Sequence, residues 1–311
     1  MPEMTRREFG KTAAVGAFAV GVGLRVPLGT GYDSKGLPTR IHGRTGVRLP
    51  IIGFGAGSRF CAVKSEEEAE KLLHTALDNG LYYWDTAHDY VFDGVASEER
   101  LGRVLRHRRK EVFLATKVGT RDVEEAKRHL EESLRRLRTD SLDLYQLHSV
   151  NDMDDVKRIG KKGGIYEWLL KLKEQEITRF IGFTGHLSAQ AMKAMAERYE
   201  FDSMLIALNP YQKGKQPFEE EAIPAAARRG LGVSVMKVIR PLEKAKEVSP
   251  ERLVLYALSL SSVTAAVIGM DSLEVLERNL RLLRDFKPLA PEEMQKIRVG
   301  LKPFYQEDDF S

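Results

Sequence analysis

The chain has 311 residues, 42% hydrophobic and 30% charged, with a mean hydropathy of −0.33, which is ordinary soluble globular material. A net charge of +4, with both signs interspersed, argues against nucleic acid as a partner, and the single cysteine, Cys61, excludes intrachain disulfides and cysteine-built metal sites. The length could hold two domains, but it is also routine for one α/β barrel.

Residues 1–26 read as a targeting segment outside the fold. Thr5-Arg6-Arg7-Glu8-Phe9-Gly10-Lys11 precedes an apolar stretch from Thr12 to Leu24. Paired arginines, a Phe two places on, a Lys and a modest apolar run match a twin-arginine (Tat) export signal. The run is shorter than the ~20 residues of a comfortable bilayer span, so no stable membrane span is expected. Ala17-Phe18-Ala19 offers a cleavage site. The expected partner is the twin-arginine translocase, and the expected location is periplasmic, with a membrane tether if the signal stays uncleaved. Residues 27–38 read as a linker, and 39–311 as one domain.

Arg40 to Leu49 reads as a small hairpin with Gly in its turn. Strand-like runs follow near Ile51–Phe54, Leu81–Trp84, Val112–Thr116, Leu142–Leu147, Arg179–Phe183, Ser203–Leu208, Gly232–Met236 and Ala265–Ile268. Helical patterns lie between them. Ser65–Asn79 opens on Ser65 and Glu68 as a capping box and stops before Gly80. Asp122–Leu137 and Ser272–Leu283 repeat Leu at helical spacing. Arg103 to Lys110 reads as a solvated basic helix end rather than a polyanion patch. Ser149 to Gly164 reads as the longest loop, and Pro288 to Ser311 as an extra C-terminal helix with an acidic tail. Eight strands, each followed by a helix, predict a (β/α)8 TIM barrel with its site at the strands' carboxyl ends.

The run Leu81–Trp84 stops at Asp85. A carboxylate at the end of a buried strand is costly without a partner or a task, though a lone Asp there reads first as a turn cap. Three further residues change that reading. Tyr90 lies just past Asp85, Lys117 closes the third run, and His148 closes the fourth. One acid, one phenol, one ammonium and one imidazole thus sit at the ends of three successive strands. The seven histidines show no metal-ligand spacing, so no metal is expected; His148 stands apart, with His186 and His88 behind it.

This placement resembles the aldo-keto reductases. Asp85-Thr86-Ala87 with Tyr90, Lys117 closing strand three and His148 closing strand four match the family pattern, as do Ser97 to Gly102 and Asp143 to His148. The resemblance covers roughly Gly43 to Leu283. It implies a hairpin plugging the barrel bottom and a nicotinamide cofactor, NADP(H) ahead of NAD(H). It also implies roles: Tyr90 as general acid, Lys117 as its tuner, Asp85 as counter-ion, and His148 orienting a small-molecule carbonyl substrate. The electrostatic logic stands beside it. A phenol is a poor acid at neutral pH, and a neighbouring ammonium should lower its pKa.

The cofactor positions depart from the family pattern. The family's Ser-Asn after strand five appears as Thr184 and Gly185, and the Gln of strand six as Asn209. No nicotinamide-stacking aromatic is evident from Met236 to Leu242. Gly269 and Val275 stand where many members carry the Lys and Arg that meet the 2′-phosphate, while Asn279 fits the adenine contact. Arg278 is a candidate substitute. Two function classes stay open: a reductase of aldehydes or ketones, and a nicotinamide-binding regulatory or sensor subunit with incidental turnover. Isomerase or aldolase chemistry could also use Asp, Lys and His, but has no need of the Tyr.

Overall fold

The computed structural model describes residues 29–208, 217–239 and 248–301. The export motif within 1–26 and the Asn209 position lie outside them. Eight parallel strands close into a barrel in chain order: Ile52–Gly55, Tyr83–Asp85, Phe113–Val118, Leu142–Leu147, Thr178–Gly185, Ser203–Ala207, Gly232–Met236 and Ala265–Gly269. The third and fourth are buried at every residue. That is what a sheet covered on both faces demands, and it explains their near-continuous apolar runs. The last strand pairs with the first, Ala266 opposite Ile52 and Gly269 opposite Gly55, which leaves the barrel without an edge.

The helices start where the capping residues place them. Ser65 accepts from the Glu68 N–H ahead of Glu66–Asp78, Asp122 from the Glu125 N–H ahead of Val123–Leu137, and Ser272 from the Val275 N–H ahead of Leu273–Arg284. The C-terminal pattern forms Pro291–Leu301. The basic cluster ends Ser97–Arg108 as expected, and its cations are tied locally: Arg108 to Glu111 and Asp78, Arg103 to Glu66 and Glu70. No helix among the described residues is long and apolar enough to cross a membrane.

The hairpin under the barrel forms from Pro38–Ile41 and Arg48–Pro50, joined by the turn Gly43–Thr45. Within 27–38, read as a linker, the described residues from 29 on carry structure. Gly31–Tyr32 pairs with Pro38–Thr39 as a third strand, and the Asp33 carboxylate accepts from the N–H groups of Lys35 and Leu37, both at 2.8 Å. That side-chain turn fixes a stretch whose Gly, Pro and Ser content suggests none.

His42 seats the plug. Its Nδ1 meets Thr264 Oγ1 and its Nε2 meets Ser203 Oγ, each at 2.8 Å. Thr264 Oγ1 already donates to the Val233 carbonyl, so it accepts from Nδ1–H, and Nε2 accepts from Ser203. Gly43 beside it has φ +53°, and a Cβ there would run into the backbone of Leu231 and Gly232.

Two loops carry structure beyond the elements expected from the sequence. Past Tyr90, Val91–Phe92 pairs with Val95–Ala96 through a tip at Asp93-Gly94, both with positive φ, as a tight hairpin turn requires. Within Ser149 to Gly164, read as a loop, Met153–Ile159 is helical and capped by Asp152.

Candidate active site

Strand register brings the four predicted residues together at the carboxyl end of the barrel. Asp85 is opposite Ala115, so the third strand continues past it to Lys117, which lies in register with Gln146 of the fourth. Asp85 and Lys117 are both buried, the latter fully. The Lys117 ammonium donates to Asp85 Oδ1 at 2.6 Å, to the Thr86 carbonyl at 2.6 Å and to the Tyr90 hydroxyl at 3.5 Å. All three of its donors are used. Gln146 Nε2 donates to the second carboxylate oxygen, Asp85 Oδ2, at 3.0 Å. Asp85 is thus held from two neighbouring strands while it holds Lys117.

Tyr90 hangs from the loop after the second strand. Its N–H donates to the Ala87 carbonyl at 3.1 Å, and its own carbonyl accepts from the Ser97 N–H at 2.9 Å. The ring lies 4.8 Å from the Lys117 ammonium and meets His148 edge-on at 5.7 Å. Lys117 lowers the phenol's pKa as expected, but the net shift is upward. Burial pushes the phenol above its ordinary value, Lys117 pulls it only part of the way back, and Asp85 and Asp89 push it up again. The phenol therefore stays protonated throughout the neutral range. Burial also opposes the charge on Lys117, but Asp85 and Tyr90 outweigh it and hold the ammonium above its usual range.

His148 continues the fourth strand, its N–H donating to the Val118 carbonyl at 2.9 Å. Its Nδ1 faces the Asp89 carboxylate at 3.0 Å. The two line a cavity of about 630 Å³ with Thr120, Arg121, Asn151 and Arg158 among its walls. His186 stands beside His148, ring centroids 6.4 Å apart. Burial first, then Lys237, His148 and Lys117, push its pKa down to about 3, so it is neutral. His88 is not part of this group; it stacks on His129 at 3.9 Å and pairs with Glu132 on the outer helix.

Two of the expected cofactor residues are buried polar side chains. Thr184 is fully buried at the end of the fifth strand, its hydroxyl accepting from the Ser149 N–H at 3.0 Å. Asn279 is buried on Leu273–Arg284, and its Nδ2 has no hydrogen-bond partner among the described residues. An orphaned buried donor fits a ligand acceptor. Gly269 closes the eighth strand against Arg59, whose guanidinium pairs with Asp271 at 2.6 Å. Arg278, the candidate substitute, pairs with Glu251 at 3.4 Å. Gln146 and Asp89 are missing from the sequence reading, because only strand register and loop folding give them partners.

The Aldo/keto reductase family model matches residues 51–245, more than half of the chain. The chain belongs to the aldo/keto reductase family. Members of that family are NAD(P)H-dependent oxidoreductases, and this chain is one. It is similar to L-galactose dehydrogenase of Arabidopsis thaliana, 26% identical over 310 residues that span 85% of this chain and 94% of that protein. It is also similar to the aldo-keto reductase yakc [NADP(+)] of Schizosaccharomyces pombe, 32% identical over 191 residues, 56% of this chain and 53% of that protein. Among solved structures, an aldo-keto reductase from Klebsiella pneumoniae in complex with NADPH superposes with a TM-score of 0.67 at 21% identity, covering 87% of this chain and 96% of that one. At that identity the likeness is one of fold.

Proposed function

We propose that the enzyme reduces the carbonyl of a small aldehyde or ketone to the alcohol, with Tyr90 as proton donor. The observation that carries this is the Lys117 ammonium, bonded at once to Asp85, the Thr86 carbonyl and the Tyr90 hydroxyl. A buried cation beside a phenol does little for a ground state. It does much for the phenolate left when the proton departs, because charge that develops in a water-poor site is stabilised most by groups already in place. Asp85 and Gln146 keep that cation fixed. His148, whose ring meets that of Tyr90 edge-on, orients the substrate oxygen. The nicotinamide, when bound, supplies the hydride that no side chain carries.

Thr184 and Asn279 are the described residues that would hold it, with Asn209 assigned by resemblance. NADP(H) is proposed ahead of NAD(H), supported by the NADP(+) in the name of the Schizosaccharomyces pombe relative. Discrimination should be weak. Gly269 and Val275 offer no cation, and the nearby guanidiniums of Arg59 and Arg278 are already engaged by Asp271 and Glu251. Steady-state turnover of an aldehyde panel with each cofactor tests both points. Reduction is expected with a preference below about a hundredfold, roughly 2.7 kcal/mol. No turnover on any carbonyl would instead support a sensor subunit.

Export by the twin-arginine route to the periplasm is proposed as well, as is the division into a signal (1–26) and one catalytic domain. Support comes from Arg6 and Arg7 standing ahead of Phe9, Lys11 and the apolar run.

A further inference from the structure

We propose that Asp89 is a positioning residue that locks the His148 ring, with Nδ1–H turned to its carboxylate and Nε2 turned to the substrate. The inference rests on the reductase reading of the site. An ionised carboxylate only accepts, so the hydrogen in the Asp89–His148 contact belongs to Nδ1. Both carboxylate oxygens lie within reach, at 3.1 and 3.0 Å, so the ring is held in direction and not merely touched. Burial opposes Asp89's ionisation, but the hydrogen bond from His148, with the Lys117 charge behind it, holds its carboxyl below the usual range.

The consequence concerns the other nitrogen. With Nδ1 taken, Nε2 is the ring atom left for a substrate oxygen, and among the described residues it has no hydrogen-bond partner. Asp89 immediately precedes Tyr90, and the Tyr90 and His148 rings meet edge-on at 5.7 Å. One short segment therefore sets both the proton donor and the orientation of its partner. The charge of Asp89 works against the phenol, pushing its pKa up. Removing that charge alone would make Tyr90 the stronger acid. A loss of rate on removing Asp89 therefore reports lost orientation rather than lost electrostatics.

The test compares Asp89→Leu with Asp89→Asn. Asp89 is half exposed, so neither change empties a core position. The tautomer of His148 is read by 15N NMR of the ring in the neutral form. Wild type should show Nδ1–H, Asp89→Leu should lose that preference, and Asp89→Asn, whose amide oxygen still accepts, should keep it. In parallel, kcat/KM for carbonyl reduction should fall about tenfold or more in Asp89→Leu and return to within about threefold of wild type in Asp89→Asn. Cofactor Kd should stay unchanged in both. Retention of the Nδ1–H tautomer in Asp89→Leu would overturn the proposal, as would its loss with kcat/KM intact. If wild type reduces no carbonyl, the reductase reading fails, while the NMR comparison still decides whether Asp89 sets the ring.

Discussion

A fully buried ammonium is tolerated only where its charge is answered, and Lys117 has Asp85, a carbonyl and a phenol around it. Lys117→Met should therefore lose activity and stability together. Tyr90 would keep its hydroxyl without the cation that favours its anion, and Asp85 would remain buried with only Gln146 to answer it. Stability should fall by about 3–5 kcal/mol, the usual consequence of breaking a buried pair from one side. Urea unfolding measures this, and a variant as stable as wild type would contradict the pairing. Asp85, Lys117 and His148 are legible in the sequence because each is a polar type at the end of an apolar run, where burial alone cannot explain it, and Tyr90 through its place just past Asp85. Gln146 and Asp89 are not legible. Gln146 acquires meaning only when register sets it beside Lys117, and Asp89 only when the loop folds back on His148. The upward push on the Tyr90 phenol is likewise hidden, since desolvation depends on everything packed around the ring.

At the scale of elements, the hairpin beneath the barrel depends on a neutral histidine. Burial pushes the pKa of His42 down to about 4, against about 6.5 in an unfolded chain. The unfolded state thus takes up a proton first as pH falls. The contribution of His42 to stability is fully present above about pH 6.5 and is lost as pH drops toward 4. Between pH 7 and 4.5 the loss should be about 2–3 kcal/mol, at 1.36 kcal/mol per unit. His42→Gln can bond both hydroxyls without titrating, so its stability relative to wild type should improve by that amount over the same interval. Unfolding curves at the two pH values check this; a pH-independent difference would mean that His42 does not titrate with folding. Of the elements, the barrel strands are legible to within about two residues at each end because both of their faces are buried. The helix Met153–Ile159 is missed because its exposed charges mask the pattern, although Asp152, Asp154 and Asp155 at its start and Lys157 and Arg158 at its end form a complete set of helix-end signals. The strand Gly31–Tyr32 is missed because two residues carry no periodicity.

The whole chain combines two proposals that can be tested apart, an exported enzyme and a carbonyl reductase. Export is predicted to depend on the paired arginines. Replacing Arg6 and Arg7 together by Lys keeps the charge and removes the guanidinium fork, so precursor should accumulate in the cytoplasm of the native host. Unchanged export of the double variant would show that the segment is not a twin-arginine signal. The barrel itself is legible from the alternation of strands and helices, because a closed parallel sheet needs that alternation whatever its chemistry. The pairing of Arg59 with Asp271 and of Arg278 with Glu251 is not, because it depends on how the helices pack. The central claim is that the Tyr90 phenol delivers the proton, and the turnover of Tyr90→Phe tests it most directly. The substitution removes one oxygen and leaves the ring against Lys117, His148 and Phe92. Cofactor affinity should therefore match wild type, and stability should fall far less than in Lys117→Met, which leaves Asp85 without its cation. The kcat for carbonyl reduction should fall by ~10²–10⁴, about 3–5 kcal/mol of barrier. Near wild-type turnover of Tyr90→Phe on any accepted carbonyl would contradict the mechanism.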